Sequence, residues 1–265
     1  MIRRILNAVR PQKLSEANAL IQQACAFERY SEHKFTYKNF AFEVSDFLSV
    51  AWQLKEYFED QRLNFVSASG SPRIIDCGAN VGVSVLYFKH LFPKAVISAY
   101  EPDPNIYKYL VKNMKANTVK DVELINKAVW INNEGIEFGS EGADSGSLYF
   151  EGNKISLPSQ RLREVLALEQ KVDLLKMDIE GTEVDVILDC NDLLKKVKYL
   201  FVEYHSWKKN EQSLQQMLDV LTKNGFRYYI HSIGHQSEKP FMGIDSYNGM
   251  DVQLDIYAVN ETAKT

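Results

Sequence analysis

The stretch Ile74-Ile-Asp-Cys-Gly-Ala-Asn-Val-Gly82 decides the fold of this chain. A short apolar strand runs into a loop holding Gly78, Asn80 and Gly82, and a helical pattern starts at once. Glycine permits positive φ and lets a ligand approach the backbone where no Cβ intervenes. Asparagine is among the few other residues that tolerate a left-handed conformation. The helix start behind the loop presents unpaired N–H groups able to hold a carboxylate. A dinucleotide fingerprint, G-x-G-x-x-G, fails here, because residues 80 and 83 are Asn and Val. No Gly-Lys-Ser/Thr follows, so a Walker A loop fails too. A tight turn with no ligand would use the same residues.

Outward from this stretch, short apolar strands are expected at 74–77, 96–100, 122–126, 174–177 and 199–204. Helices are expected between them at 83–92, 105–116, about 160–168, 183–188 and 212–224. Such alternation implies an α/β fold, with a parallel sheet covered on both faces. The chain ends with two strands, 226–232 and 252–259, and no helix between, which leaves the last free to run antiparallel beside its predecessor. Turn-rich sequence over 128–150 reads as a β-hairpin excursion. Before Ser67–Pro72 the pattern differs: a helix at 15–26, two strands around Lys38-Asn39, and a helix from Asp46 to about 60. The expected division is therefore an N-terminal helical and hairpin appendage, 1–70, and a main domain, 71–265.

With 265 residues, 45% apolar and 25% charged, the chain has a globular composition and length enough for a large core. Thirty-one Lys and Arg against 35 Asp and Glu give −4, which offers no footprint for duplex nucleic acid. Cys25, Cys77 and Cys190 are widely spaced, without CxxC, and read as buried reduced thiols of a cytoplasmic protein. The start carries Arg3, Arg4 and Arg10, but its apolar run is too short for a signal peptide. No run approaches 18 apolar residues, so no stable membrane insertion is expected.

Acidic residues cluster where strands end. Glu101 closes the second strand, 23 residues after Gly78. In doubly wound sheets an acid there meets the ribose hydroxyls of an adenosine cofactor. Asp178 and Glu180 follow the strand at 174–177, and Glu203 and His205 end the next one. Ligands of open α/β sheets bind at these carboxyl ends, so the groups should share one rim. Glu183 and Asp185 are expected only to sit on the first turn of a helix.

The spacing D-x-G-x-N-x-G is one that S-adenosylmethionine enzymes use, and the wider sequence resembles the FkbM family of S-adenosylmethionine-dependent methyltransferases. The motifs that carry this are IIDCGANVGVSVLYF (74–88), AYEPDPNIYKYLVKNM (99–114), NKAVW (126–130), DSGSL (144–148), LLKMDIEGTEVDVI (174–187) and FVEYHSW (201–207). The resemblance implies a seven-stranded Rossmann-like methyltransferase sheet and O-methylation of a sugar, glycan or small natural product. It puts Asp76, Gly78, Asn80, Gly82 and Glu101 on cofactor positions, Lys127 and Ala128 beside the adenine, and Ser147 in a loop over the cofactor.

Methyl transfer to an alcohol calls for alignment and a base. His205 or Asp178 is the expected base, with Glu203 orienting the imidazole from the same strand face. Asp178, Glu203 and His205 could instead hold a divalent ion, although the spacing demands none and no metal is assigned. His231 and His235, with Tyr228, Tyr229, Phe241 and Tyr247, could line an acceptor pocket or pack the sheet edge. A nucleotide-dependent oxidoreductase and a binding protein without turnover are the competing readings. The N-terminal segment could be a lid over the acceptor or the contact of a homodimer.

Overall fold

A computed structural model gives the fold and describes residues 14–139 and 154–263. The N-terminal segment is α1 (Glu16–Ala24), the hairpin β1 (His33–Tyr37) and β2 (Phe40–Val44), and α2 (Phe47–Leu54). The Ser15 hydroxyl accepts from the Asn18 N–H, and the Asp46 carboxylate accepts from the Leu48 N–H, so each helix opens on a side-chain cap. Beyond α2 the chain widens into a π-helical turn, Lys55–Glu59. The buried stripe of α1 is Ala17, Ile21 and Ala24. Cys25 falls one residue, about 100°, past that stripe and is exposed, contrary to the sequence expectation. Cys77 and Cys190 are buried.

The main body follows in chain order: β3 (Arg73–Cys77), α3 (Val83–Leu91), β4 (Val96–Tyr100), α4 (Pro104–Ala116), β5 (Val122–Ile125), β6 (Ala128–Trp130), β7 (Ile136–Gly139), β8 (Lys154–Leu157), β9 (Ser159–Arg161), α5 (Leu162–Leu168), β10 (Val172–Met177), α6 (Glu183–Cys190), β11 (Val197–Trp207), α7 (Leu214–Lys223), β12 (Phe226–Ile233) and β13 (Met250–Asn260). Seven strands form one sheet in the order β12-β13-β11-β10-β3-β4-β5. The pairs from β11 to β5 are parallel, and β13 runs antiparallel to both β11 and β12. The expected architecture is present. The last strand also fills the gap that the α7 crossover leaves between β11 and β12.

The excursion after β5 is longer than the sequence suggests. Its hairpin arms are β7 and β8, and the second arm lies beyond Phe150. The segment at 128–130 is not part of that hairpin; it pairs in parallel with β9, which delays α5 to Leu162.

One sheet face packs Ile75, Leu175, Met177, Val202 and Ile256 under α5, α6 and α7. The other packs Ile74, Ile97, Leu174 and Phe201 under α3, α4 and the N-terminal segment, whose Val50, Leu54 and Phe58 share that core. Asn113 of α4 sews the hairpin down: its Nδ2 donates to Val81 O and Glu43 O, and its Oδ1 accepts from Glu43 N. Asn117 does the same for the backbone of Ala41. Among the described residues no helix is long and apolar enough to cross a membrane.

Candidate active site

The glycine turn is built by close approach. A Cβ on Gly78 would stand 1.8 Å from the carbonyl oxygen of Asp178, and its φ is +84°. The N–H groups of Gly78 and Ala79 both donate to Tyr100 O, which ties the turn to the end of β4. Asn80 has φ +49° and donates its N–H to Glu101 Oε2 at 3.0 Å. Asp103 N donates to the other oxygen of Glu101 at 2.9 Å. Each carboxylate oxygen thus keeps a lone pair for another donor. Burial pushes Glu101 up to about 8, against the pull of the Asp103 and Asn80 N–H groups.

These residues line a cleft at the carboxyl ends of the strands. Gly78, Asn80, Glu101, Lys127, Ala128 and Asp178 all face it, with Tyr100, Ile106, Val129 and Ile136 as apolar walls and Glu180 at the rim. Of the sequence candidates, Gly82, Asp76, Glu203 and His205 lie outside the lining. Gly82 caps α3, where a Cβ would meet Met114 Cε at 2.5 Å and Leu110 Cδ1 at 2.8 Å. Asp76 is fully buried below the turn and accepts from Ser84 Oγ at 2.5 Å. Ser147 lies outside the described residues, as do Arg3, Arg4 and Arg10.

Lys176, which sequence reading passed over, joins these parts. Its ammonium lies 3.3 Å from Asp76 Oδ1 and 3.5 Å from Asp178 Oδ2, and it donates to Gly78 O at 2.9 Å. Burial pulls its pKa down, but Asp76 and Asp178 outweigh that and hold it charged. The signal was a lysine inside the apolar run Leu174–Met177, since a charge in a buried strand needs a partner.

Beyond β10 a second cluster forms around His205, which is 5% exposed. Both Glu203 and His205 lie within β11 and point to one face, as expected of residues two apart. Glu203 holds the imidazole as expected, and Glu183 joins it as a second partner. His205 Nδ1 bonds to Glu183 Oε1 at 3.0 Å, whereas Glu203 Oε1 meets Nε2 at 3.3 Å. Glu183 is therefore more than a helix-start acid: the same oxygen also accepts from Ile179 N and Gly181 N. Glu180 Oε2 stands 3.7 Å from Nε2. Burial alone would lower the His205 pKa, but Glu180 and Glu183 raise it well above the ordinary value and keep the imidazolium. Asp178 is pushed up to about 7 by burial and then by Glu203. Glu203 resists burial through its bond to His205 and stays below the usual carboxylate value. Ligand atoms of Asp178, Glu203 and His205 all lie within 4.8 Å of one another, a spacing that a divalent ion could bridge. With His205 protonated, its imidazolium is a partner to the carboxylates and not a metal ligand.

The loop after β12 is open rather than packed on the sheet edge: Phe241, Met242, Ile244 and Tyr247 are exposed, as is Tyr229.

The Methyltransferase FkbM domain model matches residues 76–228. Among curated proteins, the chain is 29% identical over 171 residues to Methyltransferase sdnD of Sordaria araneosa, covering 50% of this chain and 66% of that protein. It is 28% identical over 175 residues to 2-O-methyltransferase NoeI of Sinorhizobium fredii, covering 57% and 71%. The chain thus spans about two thirds of the length of these relatives. In fold it is similar to a SAM-dependent methyltransferase from Agrobacterium tumefaciens, with TM-score 0.50, 9% identity and coverage of 88% and 71%. A domain model that covers more than half the chain, on a seven-stranded sheet with this strand order, decides the family: the chain belongs to the FkbM methyltransferases.

Proposed function

We propose that this protein is an S-adenosylmethionine-dependent O-methyltransferase acting on a hydroxyl of a sugar, glycan or small natural product. The observation that carries the reading is the cleft with Glu101 at one end and Asp178 at the other, walled by Ile106, Val129 and Ile136. The residues present fit the cofactor. Glu101 keeps two lone pairs for vicinal ribose hydroxyls, the apolar wall offers a surface to a nucleobase, and Asp178 and Glu180 bring negative charge toward a sulfonium. When bound, S-adenosylmethionine supplies an electrophilic methyl group.

The chain's own residues do the rest. Fixing donor and acceptor in line is worth roughly 7–11 kcal/mol of barrier, and a positioned base adds about 10²–10⁴ in rate. His205 already holds its proton, which supports Asp178 as the group that takes the proton of the acceptor hydroxyl. Lys176 holds Asp178 from below, and His205, pinned by Glu183, holds Glu203 beside it. That a relative is named a 2-O-methyltransferase supports oxygen as the methyl-accepting atom.

Calorimetric titration of S-adenosylmethionine tests the cofactor. One saturable site is expected, weakened at least tenfold in Glu101→Ala; no binding at millimolar concentrations would sink the reading. Incubation of polysaccharide and metabolite extracts with methyl-labelled cofactor tests the acceptor, and label found only on nitrogen or carbon would overturn the O-methyl assignment.

A further inference from the structure

The N-terminal segment brings polar side chains to the rim on the far side of His205 from the cleft. Register aligns one row across three strands, Glu203 of β11 opposite Asp255 of β13 opposite His231 of β12. The neighbouring row is Phe201, Tyr257 and Tyr229, and His205 pairs with Gln253. All these odd-numbered residues face the side covered by the N-terminal segment. Arg62, just past the π-helical turn, reaches this face: its Nη1 lies 3.2 Å from Asp255 Oδ2 and 3.6 Å from Glu56 Oε1. Tyr257 OH donates to Asp255 Oδ2 at 3.2 Å, and His231 Nδ1 stands 3.9 Å from the same oxygen.

This bay abuts the catalytic cluster. Gln253 Nε2 donates to Glu203 Oε1 at 2.5 Å, and Glu203 in turn touches His205. The charge of Glu203 helps raise both Asp178 on one side and Glu56 and Asp255 on the other. The bay is also open. Tyr229 is 67% exposed, and the side chains of Arg62, Glu56 and His231 are partly exposed.

We propose that the acceptor binds in this bay as a polyhydroxylated ring, its hydroxyls read by Arg62, Glu56 and Gln253, with buried Asp255 holding Arg62 in place, and its C–H face resting on Tyr229. The inference rests on the O-methyltransferase reading and makes the N-terminal segment a specificity element. A saccharide offers hydroxyls that both donate and accept. A carboxylate satisfies the donors, and a guanidinium and an amide satisfy the acceptors. An apolar acceptor would strip water from the donor and acceptor capacity that these groups have left beyond their contacts with one another, at about 1–3 kcal/mol each. A polyanion would meet three carboxylates against one guanidinium. An aromatic ring beside a few fixed polar groups is the usual make-up of a small-molecule site with orientation control.

Saturation-transfer NMR on the full chain, with the methyl α-glycosides of glucose, galactose and mannose as probes, tests this. Saturation of ring protons in at least one glycoside is expected, reduced fivefold or more by Arg62→Gln, Asp255→Asn and Tyr229→Ala. Tyr229 is an exposed edge-strand residue, so its variant decides the matter even if the Asp255 variant does not fold. No transfer to any glycoside, or transfer unchanged in the folded variants, would overturn the proposal. Cofactor affinity, measured separately by calorimetry, should stay within twofold in all three. Wild-type protein that binds glycosides through the bay yet ignores S-adenosylmethionine would overturn the proposed function and leave the bay standing.

Discussion

Gly78 and Gly82 read alike in the sequence, and an added methyl group separates them. At Gly78 it would meet the backbone of Asp178, which cannot yield without moving β10; at Gly82 it would meet the tip of Met114, which can. Gly78→Ala is expected to cost about 4 kcal/mol or more, and Gly82→Ala about 1–3 kcal/mol from its left-handed backbone, both measured by denaturant unfolding. Glu101 makes cofactor binding proton-linked. With its pKa near 8, it must ionise to accept two hydroxyls, so affinity should fall as pH drops below about 8. Calorimetry in buffers of different ionisation heat should detect the released proton, and Glu101→Gln should abolish it. Asp178, near 7, predicts that kcat on the identified acceptor rises with pH through about 7. Asp178→Asn should flatten that profile and lower the rate by about 10²–10⁴.

At the scale of elements, α4 acts as a surrogate strand for the edge of β2. Asn113, almost fully buried, satisfies one backbone N–H and two carbonyls. Asn113→Ala leaves those groups unpaired and should cost about 1–3 kcal/mol. Hydrogen exchange would show the loss as faster opening of residues 40–44, while β3 and β10 keep their protection. The capped helices and the hairpin around Lys38-Asn39 were legible because their signals are local. The excursion after β5 was legible as a hairpin, but its length and the parallel pairing of β6 with β9 were not, because they join residues far apart in the chain.

The whole molecule carries several raised carboxyls on one rim, at Glu101, Asp178, Glu180 and Glu56, together with a protonated His205. An acid whose folded pKa is raised binds protons that the unfolded chain has lost, so its effect on stability declines from about pH 4 up to its folded value. A histidine with a raised pKa adds stability that is complete below about 6.5 and lost as pH rises through the folded value. Both signs agree. The protein without ligand should melt several degrees lower at pH 9 than at pH 6 by scanning calorimetry. Glu183→Gln, which removes one partner of the imidazolium, should shrink that difference.

Apolar strands broken by glycine and acids were enough to read the sheet, the turn at 78–82, and the rim positions of Glu101, Asp178, Glu203 and His205, because strand ends in a parallel sheet all open to one side. Tertiary packing alone decided the rest. Lys176 became the tie between Asp76, Asp178 and Gly78, Glu183 rather than Glu203 took the Nδ1 side of His205, and Arg62 came to lie on Asp255 across 193 residues of chain. A side chain's partner is fixed by which strands neighbour one another and which face each residue takes, and a charge buried in that setting finds whichever opposite charge the packing brings near.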